Sequence, residues 1–287
     1  MVSKTNGLDH KLVAKLIELS LDEDCVFSDA TSLAALGATL DAGAELVAKE
    51  ELVVCGLPII NQIIQIACYD ISVKLLLRDG QIAQKNTVLA NLEGKARELM
   101  SLERTILNFL QRMSGVATYT RNYCKDTTLK ILDTRKTIPG WRLLDKYSTR
   151  VGGASNHRMN LNDLILIKDT HVEANAGITK TLEQVFQKKE QQIQVEVEVR
   201  NLSELKEALN FPIDMIMLDN FSDDAIKEAL LIIRDNSKSI IVEASGGITK
   251  DRLNTLNALG VDCVSVGALT TKATNADISM YTKLLAN

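Results

Sequence analysis

The sequence predicts an α/β protein in two parts, an N-terminal α+β region followed by a longer region of alternating strands and helices on a parallel sheet. Two observations carry the second part. Short runs rich in Ile, Val, Leu and Met recur as LKILDT (129–134), DLILIKD (163–169), IQVEVEV (193–199), DMIMLDN (214–220), SIIVEASG (239–246) and VDCVSVGA (261–268). Between them lie NLSELKEALN (201–210), SDDAIKEALLIIRD (222–235) and TKDRLNTLNALG (249–260), whose apolar residues fall at helical spacing. Strands alternating with helices imply right-handed βαβ units and a parallel sheet, wound open or closed as a barrel. The first part has a different texture, with strands and helices grouped rather than alternating.

Taken in order, GLDHKLVAKLIELSLDEDC (7–25) and LPIINQIIQIACYD (57–70) have helical periodicity, whereas 44–56, 71–83 and 87–94 read as strands. Asp79-Gly80 predicts a hairpin turn inside the 71–83 stretch. The long amphipathic stretch 95–115 predicts a helix that joins the two parts and breaks at Ser114-Gly115. In the second part Ser203, Ser222 and Thr249 stand where helix N-caps are expected. These readings divide the chain into 1–114 and 115–269, with 270–287 returning to the first domain.

Composition excludes several functional classes. With 33 Lys+Arg against 37 Asp+Glu the net charge is −4, so no global basic field exists to collect nucleic acid or an anionic membrane. Anionic ligands must be caught locally. The five cysteines are scattered, with no C-x-x-C spacing, which predicts buried free thiols rather than disulfides or zinc. The start MVSKTNGLDHKLVAKL lacks the apolar core of a signal peptide, and no stretch approaches the ~18 apolar residues of a membrane span. A cytoplasmic protein is expected.

The polar residues fall in a pattern. In parallel β/α architectures functional groups project from the carboxyl ends of the strands. Here those ends carry Asp133, Arg135 and Lys136; then Lys168, Asp169 and His171; Asp219 and Asn220; Glu243, Ser245, Gly246 and Gly247; and Gly267. Any one of these is more simply a solvated loop residue, but with the acids Glu196 and Glu198 of the third strand, six successive strands reverse that reading. Glu196 and Glu198, two apart, point the same way, and an acid inside a strand must face water or a cation. The two glycine turns after the last strands suit a phosphate approaching backbone N–H groups. Arg135, Lys136, Arg158 and Lys168, with His157 and Arg104, exceed what one monophosphate needs, while Glu198 and Asp219 suit a divalent cation or ribose hydroxyls.

From 19 to 270 the sequence resembles the quinolinate phosphoribosyltransferases, the carboxylating nicotinate-nucleotide pyrophosphorylases. The resemblance rests on ERTILNFLQRMSGVAT (103–118), DTRKTIPGWRLLDKY (133–147), GGASNHRMNLND (152–163), IKDTH (167–171), VEVEV, IMLDN and EASGGI. It implies an N-terminal α/β sandwich with an incomplete, TIM-like α/β barrel, and transfer of phosphoribosyl from phosphoribosyl pyrophosphate to quinolinate with loss of CO2. It further implies that Arg135, His157, Arg158 and Lys168 bind quinolinate, with Thr134 and Lys136 beside substrate and phosphate. Glu198 and Asp219 would meet ribose and Mg2+, while Ser245, Gly246, Gly247, Gly267 and Ala268 would hold the 5′-phosphate. Lys136, Lys168, Glu198 and Asp219 form its expected catalytic set, and Arg104 is expected to reach the neighbouring site of a homodimer.

The chain departs from the family pattern at Gly152-Gly153-Ala154, Thr170-His171 and Thr270-Thr271-Lys272, none of which removes a charged site residue. Rival readings are a molybdenum-transport-associated phosphoribosyltransferase-like protein and a non-catalytic barrel that binds phosphorylated metabolites. The density of cations disfavours the first, and the intact acids and lysines disfavour the second.

Overall fold

A computed structural model of the chain describes residues 7–236 and 239–285. The expectation drawn from residues 1–6, and that for 286–287, lies outside the described residues.

The elements run α1 (Lys11–Glu23), α2 (Ala30–Ala35), β1 (Asp41–Ala48), β2 (Leu52–Val53), α3 (Leu57–Ala67), β3 (Ser72–Leu75), β4 (Ile82–Ala83), β5 (Val88–Lys95) and α4 (Ala96–Cys124). There follow β6 (Lys130–Leu132), α5 (Arg142–Val151), β7 (Ile165–Ile167), α6 (Asp169–Ala174), α7 (Ile178–Lys188), β8 (Val195–Val199), α8 (Leu202–Ala208) and β9 (Met215–Asp219). The chain closes with α9 (Asp223–Asn236), β10 (Ile241–Ser245), α10 (Leu253–Leu259), β11 (Cys263–Ser265), α11 (Ala268–Thr271) and β12 (Ile278–Leu284). Contacts gather these into two compact units. One comprises the chain up to Asn122, Thr137–Gly153 and everything from Ala268; the other comprises Tyr123–Lys136 and Ala154–Gly267.

The first unit is built on an antiparallel sheet ordered β12-β1-β5-β3, with a small β2-β4 pair. Helix α3 shows why its stretch folds as it does: Leu57, Ile60, Ile63, Ile64 and Ala67 recur at helical spacing and all are buried, and Pro58 sits in the first turn where no N–H is needed.

Two expectations fail here for identifiable reasons. Asp79-Gly80 is a turn, with Gly80 at φ +90°, but it does not close a hairpin: β3 pairs with β5 and β4 with β2. The Asp79 carboxylate instead accepts from the N–H groups of Gly56 (2.8 Å) and Leu57 (3.1 Å) at the start of α3, and from the Tyr147 hydroxyl (2.8 Å). Nor does α4 break at Ser114-Gly115; it runs on to Cys124. Gly115 serves close approach, since a Cβ there would lie 2.0 Å from the Thr274 carbonyl oxygen.

The second unit holds all six anticipated strands in one parallel sheet, ordered β6-β11-β10-β9-β8-β7. That order is the sequence of a barrel left open between β6 and β7. On the free edge of β6, Ser155 makes a parallel bridge to Leu132. Two cap expectations are corrected. Asn201, not Ser203, caps α8, accepting from Ser203 and Glu204 N–H, and Thr249 makes no side-chain cap; Ser222 does bond the Ala225 N–H at 3.3 Å. Among the described residues no helix is long and apolar enough to cross a membrane.

Candidate active site

Alternation within the six strands decides which polar residues meet. In the ladder Glu198 aligns with Met217, Met217 with Glu243, and Asp219 with Ser245, so Glu196, Glu198, Asp219, Glu243 and Ser245 all belong to one face of the sheet. Ser265 on β11 joins them: its hydroxyl donates to Ser245 Oγ at 3.0 Å. A parallel core strand is ordinarily apolar on both faces. This sheet keeps Val195, Val197 and Val199 for one face and acids for the other.

Deepest on that face is a cluster of Glu196, Glu243 and His157. Both carboxylates are fully buried, and His157 Nε2 lies 3.1 Å from Glu196 Oε2 and 3.4 Å from Glu243 Oε2. None of the four carboxylate oxygens accepts a well-aligned hydrogen bond. Burial holds Glu196 above the usual carboxylate range. Burial also pulls the His157 imidazole down, but the two carboxylates outweigh it and push the ring up to about 9. The Arg158 N–H donates to His157 Nδ1 at 2.8 Å, so in this geometry the ring proton sits on Nε2 and faces the acids. The three ligand atoms lie within 4.8 Å of one another, and in this geometry the cluster places an imidazole proton between two carboxylates.

The segment bearing His157 is set by Asp133. Its fully buried carboxylate accepts from Asn156 Nδ2 (2.6 Å) and from the His157 N–H (2.9 Å), which fastens residues 156–157 to the end of β6. Arg158 then donates to the Leu164 carbonyl (3.2 Å). Burial, and next the charge of Arg135, lower Arg158, whereas Glu196 raises it. The buried Nε of Arg135 has no hydrogen-bond partner. Two guanidiniums that repel each other, one with a buried donor unmet, are a combination suited to a carboxylate or phosphate.

Around this centre the other expected residues form two groups. Lys168 Nζ meets Glu198 Oε2 at 2.9 Å, so the acid that had to face water or a bound cation faces a lysine of its own chain. After the other edge strand, β6, Thr134 Oγ1 accepts from the Lys136 N–H (3.1 Å), and the Lys136 side chain lies across Gly267, whose added Cβ would be 3.2 Å from Lys136 Cδ. Gly246 (φ +88°) and Gly247 (φ +57°) turn the backbone after Ser245 in the left-handed region that glycine favours. Arg104 lies in the other unit, on α4, with its side chain 58% exposed and 4.0 Å from Glu103. Ala268 opens α11 directly after Gly267.

Residues 116–281 match the family described as quinolinate phosphoribosyl transferase, C-terminal domain, and residues 29–114 match its N-terminal domain. Among curated proteins, a probable nicotinate-nucleotide pyrophosphorylase [carboxylating] of Bacillus subtilis is 37% identical over 95% of this chain and 94% of its own. One of the same name from Synechocystis is 38% identical over 83% of this chain and 81% of its own.

This chain belongs to the quinolinate phosphoribosyltransferase family.

Solved structures agree. The nicotinate-nucleotide pyrophosphorylase of Francisella tularensis (37% identity, 98% of each chain) gives a TM-score of 0.88, and NadC from Streptococcus pyogenes (33% identity, 96% of this chain and 97% of that one) gives 0.89. A more distant structure, human nicotinic acid phosphoribosyltransferase at 12% identity and a TM-score of 0.63, shares the fold. The expected incomplete barrel and N-terminal sheet domain are thus both present in this quinolinate phosphoribosyltransferase family member.

Sequence reasoning placed Asp133, Glu196 and Glu243 at strand positions without giving any of them a role in the site, and it gave Asn156 and Ser265 none either. For the two glutamates the signal was present: a carboxylate on the buried face of a parallel strand needs a partner, and a histidine is the residue that fits between two of them. The pairing of Asp133 with Asn156 left no such signal, because they are 23 positions apart and only the tertiary fold shows them bonded.

Proposed function

We propose that this family member transfers phosphoribosyl from phosphoribosyl pyrophosphate to quinolinate with decarboxylation, giving nicotinate mononucleotide, pyrophosphate and CO2, in NAD biosynthesis. The observation that carries the reading is the segregation of charge on one sheet face. Arg135, Arg158 and Lys168 supply cations for a planar dicarboxylate, while Ser245, Gly246, Gly247, Gly267, Thr134 and Lys136 supply a glycine-rich, lysine-flanked corner for phosphate. The names of the relatives support the same substrate pair.

The chemistry asks little covalent help from the protein. The pyridine nitrogen attacks the anomeric carbon as the bond to pyrophosphate breaks, and positive charge on the sugar is favoured by the carboxylates of Glu198 and Asp219. The C–CO2 bond then breaks, the ring's positive nitrogen stabilises the carbanion, and that carbon takes up a proton. Holding the reactants in register is the main contribution of Arg135, His157, Arg158 and Lys168.

Glu198 and Asp219 offer hard oxygen donors at the carboxyl ends of adjacent strands, and neither is fully buried, so they fit Mg2+ held mainly by substrate phosphates. Bound there, Mg2+ would neutralise the departing pyrophosphate. We infer a cytoplasmic homodimer in which Arg104, which is exposed on α4, serves the neighbouring subunit's site. Mixed Arg104→Ala and Lys136→Ala subunits then regain activity in heterodimers, and failure to do so in verified heterodimers removes the shared site.

The deciding experiment incubates purified protein with phosphoribosyl pyrophosphate, Mg2+ and either quinolinate or nicotinate. Stoichiometric CO2 and nicotinate mononucleotide from quinolinate alone are expected. No turnover with quinolinate sinks the proposal.

A further inference from the structure

Between the acid at the end of β9 and the glycine turn after β10 stands a residue with no role so far. Asn220 has φ +55°, a left-handed conformation that side chains other than glycine and asparagine seldom adopt. Three contacts account for it. Its backbone N–H donates to the Ser245 carbonyl at 2.9 Å, which continues the β9-β10 ladder one step past Asp219. Its side-chain Nδ2 donates to Asp219 Oδ2 at 2.8 Å. Its Oδ1 and Cγ press against Gly246, where an added Cβ would lie 2.2 Å and 2.5 Å from them and 2.9 Å from the Asn220 backbone nitrogen.

One side chain therefore touches both halves of the proposed phosphoribosyl pyrophosphate site, the acid for ribose and Mg2+ and the loop for the 5′-phosphate. We propose that Asn220 is a positioning residue that fixes the Asp219 carboxylate relative to the Ser245-Gly246-Gly247 turn, and so sets the spacing at which a ribose carrying a 5′-phosphate is recognised. The inference rests on the proposed function. It also explains why position 246 is glycine, beyond its φ of +88°: any Cβ would displace the Asn220 amide from Asp219. Asparagine suits position 220 because it combines tolerance of the left-handed region with a donor short enough to reach the preceding carboxylate. Aspartate would keep the shape and the backbone preference but set two carboxylates side by side.

The test uses the full chain with Asn220→Gly, Asn220→Asp, Gly246→Ala and the Gly246→Ala/Asn220→Gly double variant. Calorimetry measures binding of phosphoribosyl pyrophosphate with Mg2+, and of quinolinate, in separate titrations. Asn220→Gly, which keeps the backbone conformation accessible, is expected to weaken phosphoribosyl pyrophosphate about tenfold through loss of one charge-assisted hydrogen bond, and to leave quinolinate within about twofold. Asn220→Asp should lose more, by like-charge repulsion. Gly246→Ala should also lose phosphoribosyl pyrophosphate affinity, and the double variant should lose less than the product of the two single losses, because the Oδ1 and Cγ contacts are gone.

Equal binding of phosphoribosyl pyrophosphate by Asn220→Gly and the parent overturns the inference alone. So does a loss shared equally between both ligands with a lowered melting temperature, which would mark a structural role. A parent that binds no phosphoribosyl pyrophosphate overturns the proposed function and this inference with it.

Discussion

Replacing Glu243 with Gln tests whether the buried His157 cluster is organised by charge. In the parent, Glu196 and Glu243 push His157 up to about 9, from an ordinary value of ~6.5, which corresponds to roughly 3 kcal/mol. A second ring proton must sit on Nδ1, where the Arg158 N–H now donates at 2.8 Å, and breaking that bond costs ~1 kcal/mol. The net contribution is then ~2 kcal/mol. The sign follows from linkage: a histidine raised on folding gives stability that is fully present below the unfolded value of ~6.5 and lost as pH rises through about 9. Glu196 is also raised, so it too loses stability as pH rises from ~4.3 upward, and the comparison of variant with parent is what isolates the Glu243 charge.

Glu243→Gln leaves Nε2–H an acceptor but removes one of the two charges. The His157 titration should fall toward its ordinary value, and the stability lost between pH 6 and pH 9.5 should shrink to roughly half, ~1 kcal/mol. The assay is urea unfolding across that range, paired with NMR of the imidazole nitrogens; the chain has only three histidines, so the His157 signal can be assigned by substitution. If parent and variant titrate alike and lose the same stability, the cluster is not held by charge and the reasoning fails.

Two further outcomes follow from the geometry. Gly115→Ala, which helix propensity alone would make stabilising by ~1 kcal/mol, should instead destabilise by ~2 kcal/mol or more, because its Cβ would meet the Thr274 carbonyl oxygen at 2.0 Å; a raised melting temperature would contradict the close approach. Lys168→Ala strands the largely buried Glu198 carboxylate and removes a cation of the proposed quinolinate site, so kcat/KM for quinolinate should fall by at least about 30-fold, the equivalent of ~2 kcal/mol; a variant within threefold of the parent would exclude Lys168 from substrate recognition.

The parallel sheet was legible because hydrophobic runs and amphipathic stretches alternate along the chain, each with its own local period, and local periodicity is what a sequence displays best. Its polar face was legible too, since alternation alone puts Glu196 and Glu198 on one side. Where reading failed, the deciding partner was remote in sequence. Gly115 resembles a helix break until the Thr274 backbone is seen against it, and Asp79-Gly80 resembles a hairpin until Asp79 is seen capping α3. Both residues keep their local preferences, a glycine for a tight place and an Asp-Gly for a turn. Only the cause of the tightness lies elsewhere in the fold.

The site also shows why its acids and cations occupy different kinds of position. Glu196, Glu198, Asp219 and Glu243 stand on strands, whose alternation and ladder bonds give each carboxylate one direction. Arg135, Lys136, Arg158 and Lys168 stand on the segments that follow strands or bridge to them, where long side chains retain reach. The rigid acids act on the flexible cations. Burial and Arg135 lower Arg158 while Glu196 raises it, and Glu198 holds the Lys168 ammonium at 2.9 Å. Removing the acids would leave a partly desolvated group of like charges that relieves its repulsion by splaying into water. In the proposed site a dicarboxylate would meet cations that carboxylates of the chain already hold, and binding would exchange part of that internal pairing for pairing with substrate.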